Sequence, residues 1–255
     1  MSNDSVSKTF LVATLLCIIC SVIVSSSAIS LRADQERNKL LDKKQNILSA
    51  AGLFEEGGDI EKLFSDNIEA RLVNLSTGEY DSSIVASDYD QRKAAKDPSS
   101  SKAIEADVAG IGRRANLAPV YLVKSGGNVE RFILPVHGKG LWSTLYGFLA
   151  VDVDFNTIKA LSFYEHAETP GLGGEVDNPK WKALWDGKKI YGDDGRPRIN
   201  VIKGKVDTSK ADAVYKVDGL SGATITARGV GNMLQYWLSD DAYGKFIENR
   251  KLTGF

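Results

Sequence analysis

An α+β fold behind one N-terminal membrane helix is what this sequence predicts. Three observations predict it. An uncharged run of 23 residues, Thr9 to Leu31, opens the chain. Strand-like segments separated by turn residues follow from Val120 to Glu165, with helical patterns on either side and no regular βαβ alternation. The composition over 255 residues, 43% hydrophobic and 25% charged, excludes a wholly disordered chain and a multi-span membrane protein.

The uncharged run lies between Lys8 and Arg32. As a helix it covers roughly 35 Å, enough for a hydrocarbon core of about 30 Å. Its serines, Ser21 and Ser25 to Ser27, are of the kind a helix satisfies by bonding back to its own carbonyls. A cleaved signal peptide and a buried soluble helix are the alternatives. An uncleaved span fits better, because the run reaches Leu31 without a small-x-small end and a polar helical pattern begins at once. Positive residues favour a cytoplasmic bulk: Arg32, Arg37, Lys39, Lys43 and Lys44 outnumber Lys8 and the amino terminus. Cys17-Ile18-Ile19-Cys20 has bare CxxC spacing, but mid-helix in an apolar run these are two small hydrophobes.

From Arg32 to Leu53 the pattern is helical, with Leu40, Leu41, Ile47, Leu48 and Ala51 as a stripe; Gly52 and Gly57-Gly58 end it. Asp59 is placed to cap a second helix presenting Ile60, Leu63, Phe64 and Ile68. Residues 76 to 115 are polar and irregular, a loop with short elements. The core starts at Pro119 on this reading. Val120–Lys124 and Val129–Pro135 form a hairpin about Ser125-Gly126-Gly127-Asn128. Gly147–Val153 is a third strand of uncertain face, and Ile158–Glu165 a fourth. A short helix after Pro179 carries Trp181, Leu184 and Trp185. Val214–Val217 is a short strand, Thr226–Leu238 a helix burying Val230, Met233, Leu234 and Trp237, and residues 241–250 a last helix. The predicted organisation is thus 1–8 as a short N-terminal flank, 9–31 as the span, 32–118 as a helical stalk and connecting region, and 119–255 as the functional domain.

Composition narrows the chemistry. Lys plus Arg is 32 and Asp plus Glu 33, a net charge of −1, so nothing attracts nucleic acid. Both cysteines lie in the apolar run and there are two histidines; the rest of the chain has no thiolate metal site, cysteine nucleophile or histidine-built metal centre. Three glycine-rich segments remain. His137 to Gly147 lies between two strands and carries Leu141, Trp142, Ser143 and Thr144 beside Gly138 and Gly140; the third glycine of a dinucleotide fingerprint is replaced by Ser143. Glu165 to Glu175 holds Glu168-Thr169-Pro170-Gly171-Leu172-Gly173, a loop suited either to a plain turn or to holding a flat heterocycle; His166 and Glu168 also read as acid–base groups if the strand continues. Asp218-Gly219-Leu220-Ser221-Gly222-Ala223-Thr224-Ile225-Thr226 joins a short strand to a helix. Its N–H groups form an anion site in the manner of helix starts, its hydroxyls and Asp218 are potential caps, and Arg228 lies one turn on. An ordinary capped helix is the alternative there.

Ser221-Gly222-Ala223-Thr224, with Asp218-Gly219 before it and Thr226 after it, resembles the flavinylation motif of the FMN-binding domain family. That domain occurs in the NqrC family of sodium-translocating NADH:quinone reductase subunits and in the corresponding flavin subunit of the related Rnf complex. The loop from Glu168 to Gly173, the Gly140-Leu141-Trp142-Ser143 turn, the N-terminal span and the chain length fit the NqrC pattern better. The resemblance implies FMN joined by a phosphoester to Thr224, installed by a separate magnesium-requiring flavin transferase that takes FMN from FAD. Ser221, Gly222 and Ala223 would shape the loop, and Asp218 and Thr226 would cap or orient it. Glu168, Thr169, Gly171, Leu172 and Gly173, with Leu141, Trp142, Ser143 and Thr144, would border the flavin. No catalytic base and no metal are implied on this chain. The resemblance further implies a complex of six subunits in the bacterial inner membrane that oxidises NADH, reduces ubiquinone and exports sodium. This chain would pass electrons between an iron–sulfur centre and a second covalent FMN on a neighbouring membrane subunit, without an NADH or quinone site of its own. The family places its FMN domain in the periplasm, against the count of positive residues. A Rnf-type flavin subunit, or a membrane-tethered domain without flavin, are the alternatives.

Overall fold

The computed structural model describes residues 5–253; the expected N-terminal flank, residues 1–8, lies partly outside them. The chain divides into two compact units between Lys43 and Lys44. The first contains most of helix α1 (Val6–Ala50). Its apolar side chains, from Phe10 through Leu31, are exposed, and the helix is long and apolar enough to cross a membrane. Ser27 donates to the Ile23 carbonyl at 2.9 Å and Ser30 to that of Ser27 at 3.0 Å, the back-bonding expected of serines in such a helix.

The second unit is built on a six-stranded antiparallel sheet, in the order β2-β1-β5-β6-β7-β8. The strands are β1 (Ile68–Asn74), β2 (Glu79–Asp81), β5 (Leu117–Ser125), β6 (Asn128–Lys139), β7 (Thr144–Asp152) and β8 (Ile158–Glu165). Two smaller pairings lie outside it: β3 (Ser101–Ala103) with β4 (Arg113–Ala115), antiparallel, and β9 (Asn200–Val201) with β10 (Lys216–Val217), parallel. Both faces of the sheet are covered. The end of α1, from Ile47 to Ala51, and helix α2 (Ile60–Asn67) pack on Tyr121, Val123, Ile133 and Phe148. Helices α5 (Thr224–Trp237) and α6 (Gly244–Thr253) cover Leu122, Phe132, Leu134 and Leu149 on the other face. Burial on both sides removes the period of two from the central strands, which is why the face of Gly147–Val153 was illegible.

Asp59 caps α2 as expected, accepting from the N–H groups of Glu61 and Lys62 at 3.1 Å. Ile68 does not continue that helix: it opens β1, paired with β5 from Ile68↔Val123 to Asn74↔Leu117. The sheet therefore begins well before Pro119, where the sequence reading starts the core. The 76–115 stretch holds the short elements expected there, including α3 (Gln91–Lys96) with Asp90 as its cap. The β5–β6 hairpin turns on Gly126 and Gly127, both at positive φ (56° and 86°), as a two-residue primed turn demands. After Pro179 comes one helical turn, α4 (Pro179–Lys182), with Trp181 and Trp185 buried. The strand expected at Val214–Val217 shrinks to Lys216–Val217, because Ala211–Tyr215 forms a 3-10 turn.

Helix α5 sits close to the end of β6. A Cβ on Gly229 would lie 2.3 Å from the Lys139 carbonyl oxygen, so glycine is tolerated mid-helix for the approach it permits. Trp237 anchors the far end by donating from Nε1 to the His137 carbonyl at 2.7 Å. Helix, strand and the turn after the strand are thus fixed to one another.

Candidate functional site: a turn, a loop and a helix start joined at Glu168

The three glycine-rich segments meet at one end of the sheet. The turn after β6, the loop after β8 and the first turn of α5 converge on the carboxylate of Glu168, which is 5% exposed. Oε1 accepts from the N–H groups of Trp142 at 2.9 Å and Ser143 at 3.2 Å. Oε2 accepts from the Leu141 N–H at 3.3 Å and the Thr226 hydroxyl at 2.5 Å. Burial raises the Glu168 pKa, but these hydrogen bonds, Thr226 foremost, outweigh it and hold the carboxyl below its ordinary value. Two glycines leave room for the carboxylate. A Cβ on Gly140 would lie 2.5 Å from Oε1, and one on Gly173 would lie 2.7 Å from Oε2 and 2.6 Å from Thr226 Oγ1.

This geometry sorts the residues singled out from sequence. The backbone donors of Leu141, Trp142 and Ser143 point inward to Glu168, and the Ser143 hydroxyl accepts from the Ala167 N–H at 2.7 Å. The Leu141 and Trp142 side chains are what this turn offers outward, 43% and 67% exposed. Thr144 begins β7 opposite Lys139. The Thr169 carbonyl accepts from Leu172 at 3.1 Å and Gly174 at 2.9 Å, so this loop is a closed turn with Thr169, Gly171 and Leu172 exposed and Gly173 buried.

The third segment is strapped from behind. The Trp181 indole donates to the Asp218 carbonyl at 2.9 Å, and the Asp218 carboxylate accepts from the Val206 N–H at 2.8 Å. Leu220 and Ala223 are buried, while Ser221, Gly222, Thr224 and Ile225 are exposed. The helix begins at Thr224, two residues before the expected Thr226, and its cap position is Ala223, with no side-chain cap bond. The expectation that hydroxyls or Asp218 cap this helix is thus corrected: Asp218 serves Val206, and Thr226, buried in the first turn, serves Glu168. An uncapped helix start leaves its first N–H groups for a ligand, with the Thr224 hydroxyl exposed among them.

The acid–base reading of His166 and Glu168 rested on strand alternation. The strand stops at Glu165. His166 Nε2 lies 2.7 Å from Asp177 Oδ2, and its Nδ1 accepts from the Glu168 N–H at 3.2 Å, so the imidazole braces the loop. Gly140, which the sequence reading used only as part of a motif, is required by contact with the carboxylate; a glycine beside a turn without need of positive φ was the available signal. Among the described residues no group of His, Cys, Asp and Glu is arranged to hold a metal ion.

An anion-receptive helix start, an exposed threonine hydroxyl and exposed flat or apolar side chains beside them fit a phosphate-bearing flat cofactor, and this fold and site define an FMN-binding domain. The sequence model of the FMN-binding domain family matches residues 140–239, which contain all three segments from Gly140 onward. The chain belongs to the NqrC family of Na(+)-translocating NADH-quinone reductase subunits. It is 47% identical to the family member of Pseudomonas aeruginosa over 97% of both chains, and 48% identical to that of Vibrio alginolyticus over 96% of this chain and 95% of the relative. The crystal structure of Shewanella oneidensis NqrC superposes with a TM-score of 0.78 at 38% identity, covering 85% of this chain and all of the other. The equivalent protein from Parabacteroides distasonis gives 0.66 at 34% identity, covering 85% and 96%.

Proposed function

We propose that this chain is an electron-relay subunit of a Na+-translocating NADH:ubiquinone reductase, carrying FMN joined by a phosphoester to Thr224. It would pass electrons between an iron–sulfur centre and the second covalent FMN of a neighbouring membrane subunit. One observation carries the reading: Glu168 gathers the three segments so that the Thr224 hydroxyl stands exposed at the uncapped start of α5, with Trp142 and Leu172 exposed on the two neighbouring segments. Agreement in length with the Pseudomonas aeruginosa relative, 97% of both chains, favours this over a Rnf-type subunit.

Bound FMN supplies the one- and two-electron redox chemistry. The chain's own residues bind and orient. The N–H groups opening α5 receive the phosphate. Ser221, Gly222 and Ala223 set the approach to Thr224, and Asp218 holds that segment through Val206. Leu141, Trp142, Thr169, Gly171 and Leu172 offer apolar and planar surface for the ring system, with Ser143, Thr144, Gly173 and Thr226 supporting them from within. A covalent link removes the need for a deep enclosing pocket, so the flavin edge stays open to a redox partner. Residues 9–31 anchor the chain in the bacterial inner membrane, with residues 1–8 cytoplasmic and the FMN-binding domain, 119–255, periplasmic. A flavin transferase loads the protein, and NADH and quinone bind elsewhere in the complex.

The test is fluorescence of the denatured protein on a gel after production in membranes with an active flavin transferase. A fluorescent band at the wild type and a dark one for Thr224→Ala are expected. A dark wild-type band, or a fluorescent Thr224→Ala band, would overturn the reading.

A further inference from the structure

We propose that Glu168 is a positioning residue, which sets the acceptor Thr224 in its attachment-ready place before any flavin arrives. The inference rests on the reading of Thr224 as acceptor and deepens it. The frame exists in the flavin-free chain. Glu168 joins residues 141–143, its own loop and Thr226 through four hydrogen bonds, and His166 fixes its backbone N–H. Thr226 lies two residues past Thr224 in the same helical turn, so the bond that holds one directs the other.

The carboxylate carries a second property. Among the described residues no Lys or Arg forms an ion pair with it; its partners are three N–H groups and one O–H. A buried carboxylate without a cation is costly unless hydrogen-bonded, and the bonds here all favour the ionised form. Glu168 therefore keeps an unneutralised negative charge behind the turn that presents Trp142. Such a charge opposes added electron density at a neighbouring redox group and lowers its reduction potential.

Attachment is a displacement at phosphorus. The Thr224 oxygen forms a P–O bond to the FMN phosphate of FAD, the pyrophosphate P–O bond breaks, AMP leaves, and the hydroxyl proton passes to a base on the transferase or to water. A preformed frame speeds this by removing the search of the acceptor loop.

The experiment follows labelling of the full-length chain by transferase, FAD and magnesium over time, then measures the midpoint potential of the labelled protein. Glu168→Gln replaces one accepting oxygen with a donor and removes the charge; at least about tenfold slower labelling is expected for the lost charge-assisted bonds. Thr226→Val should slow labelling, Thr226→Ser should restore it, and the Glu168→Gln/Thr226→Val double variant should be no slower than Glu168→Gln, because the two act as one unit. The potential should move positive in Glu168→Gln and stay in place in Thr226→Val, which keeps the charge. Labelling of Glu168→Gln at the wild-type rate, an unmoved potential, or a Thr226→Ser variant as slow as Thr226→Val would overturn the inference. If Glu168→Gln does not fold, the Thr226 pair decides alone. Thr224→Ala separates the two claims: wild type labelled and Thr224→Ala dark leaves the acceptor reading standing whatever Glu168 does, and a dark wild type overturns both.

Discussion

Leu172 lies against the backbone of Gly222: a Cβ on Gly222 would fall 2.8 Å from Leu172 Cδ2, and Gly222 sits at φ +71°. The loop after β8 and the segment before α5 thus interlock through one residue that has no side chain. Gly222→Ala meets both the contact and the left-handed backbone, the latter alone costing about 1–2 kcal/mol. Its melting temperature should fall by several degrees, with a lower yield of covalent flavin. Adding Leu172→Ala should recover part of the loss, since it relieves the contact but not the backbone. An unchanged melting temperature in Gly222→Ala would contradict this.

Trp142 is exposed and its backbone, not its indole, is bonded to Glu168. Trp142→Leu should leave the denaturation midpoint within about 0.5 kcal/mol of wild type. It should still accept flavin, with altered flavin fluorescence or reduction potential. If both optical and redox properties stay the same, the indole does not border the ring.

Trp237 is fully buried, and its indole N–H satisfies the His137 carbonyl. Trp237→Phe leaves that carbonyl without its partner and opens space beside it, so chemical denaturation should show a loss of about 2–4 kcal/mol. A loss below about 1 kcal/mol would mean that the indole bond is not holding α5 to β6.

His137 titrates with folding. Burial, with the Arg92 guanidinium adding to it, pushes its pKa down to about 4 from an ordinary 6.5. The folded state then favours the neutral ring. Its stabilising effect is complete above pH 6.5 and declines as pH falls from there toward 4, by roughly 3 kcal/mol at most. Urea titrations across that range should show the slope in wild type and a shallower one in His137→Gln; equal slopes would remove the assignment. Glu168, held below its ordinary value, stabilises above the usual carboxylate range and loses its effect only as pH falls through its lowered folded pKa.

Topology has its own test. An alkaline phosphatase joined after residue 255 should be active, and a fluorescent protein that matures only in the cytoplasm should be dark at the same position. The reverse pair would place the domain with its positive flank, as the residue count alone suggests.

Much of this was legible in the chain. The strand Ile158–Glu165 and the hairpin about Gly126-Gly127 were marked by β-branched or aromatic runs and turn residues, and the cap at Asp59 by its chemistry. Strand β1 was not, for a local reason. Ile60, Leu63 and Phe64 repeat at helical spacing and Ile68 extends the repeat, while Glu69 and Arg71 look like a solvated helix face. In the fold they pair across one strand face at 2.5 Å, and Ile68 gains its partner Val123 from a strand some fifty residues later, which no local window contains. The site was legible as three segments but not as one object. Nothing near Glu168 in sequence announces that its partners are Thr226 and the turn at 141–143; Thr226 reads as a cap, because a hydroxyl at a helix start ordinarily is one. Only tertiary contact turns it inward.

The hairpin tip at Gly126-Gly127 and the turn after Lys139 lie at opposite ends of β6, twelve residues long, or about 40 Å at strand rise. The chain's two thiols, Cys17 and Cys20, both lie in α1. With those two changed to serine, Ser125→Cys at the exposed tip becomes a unique handle for gold. A monolayer wired through it would stand with the Thr224 end toward the electrolyte, and voltammetry could then address the redox group in one uniform orientation.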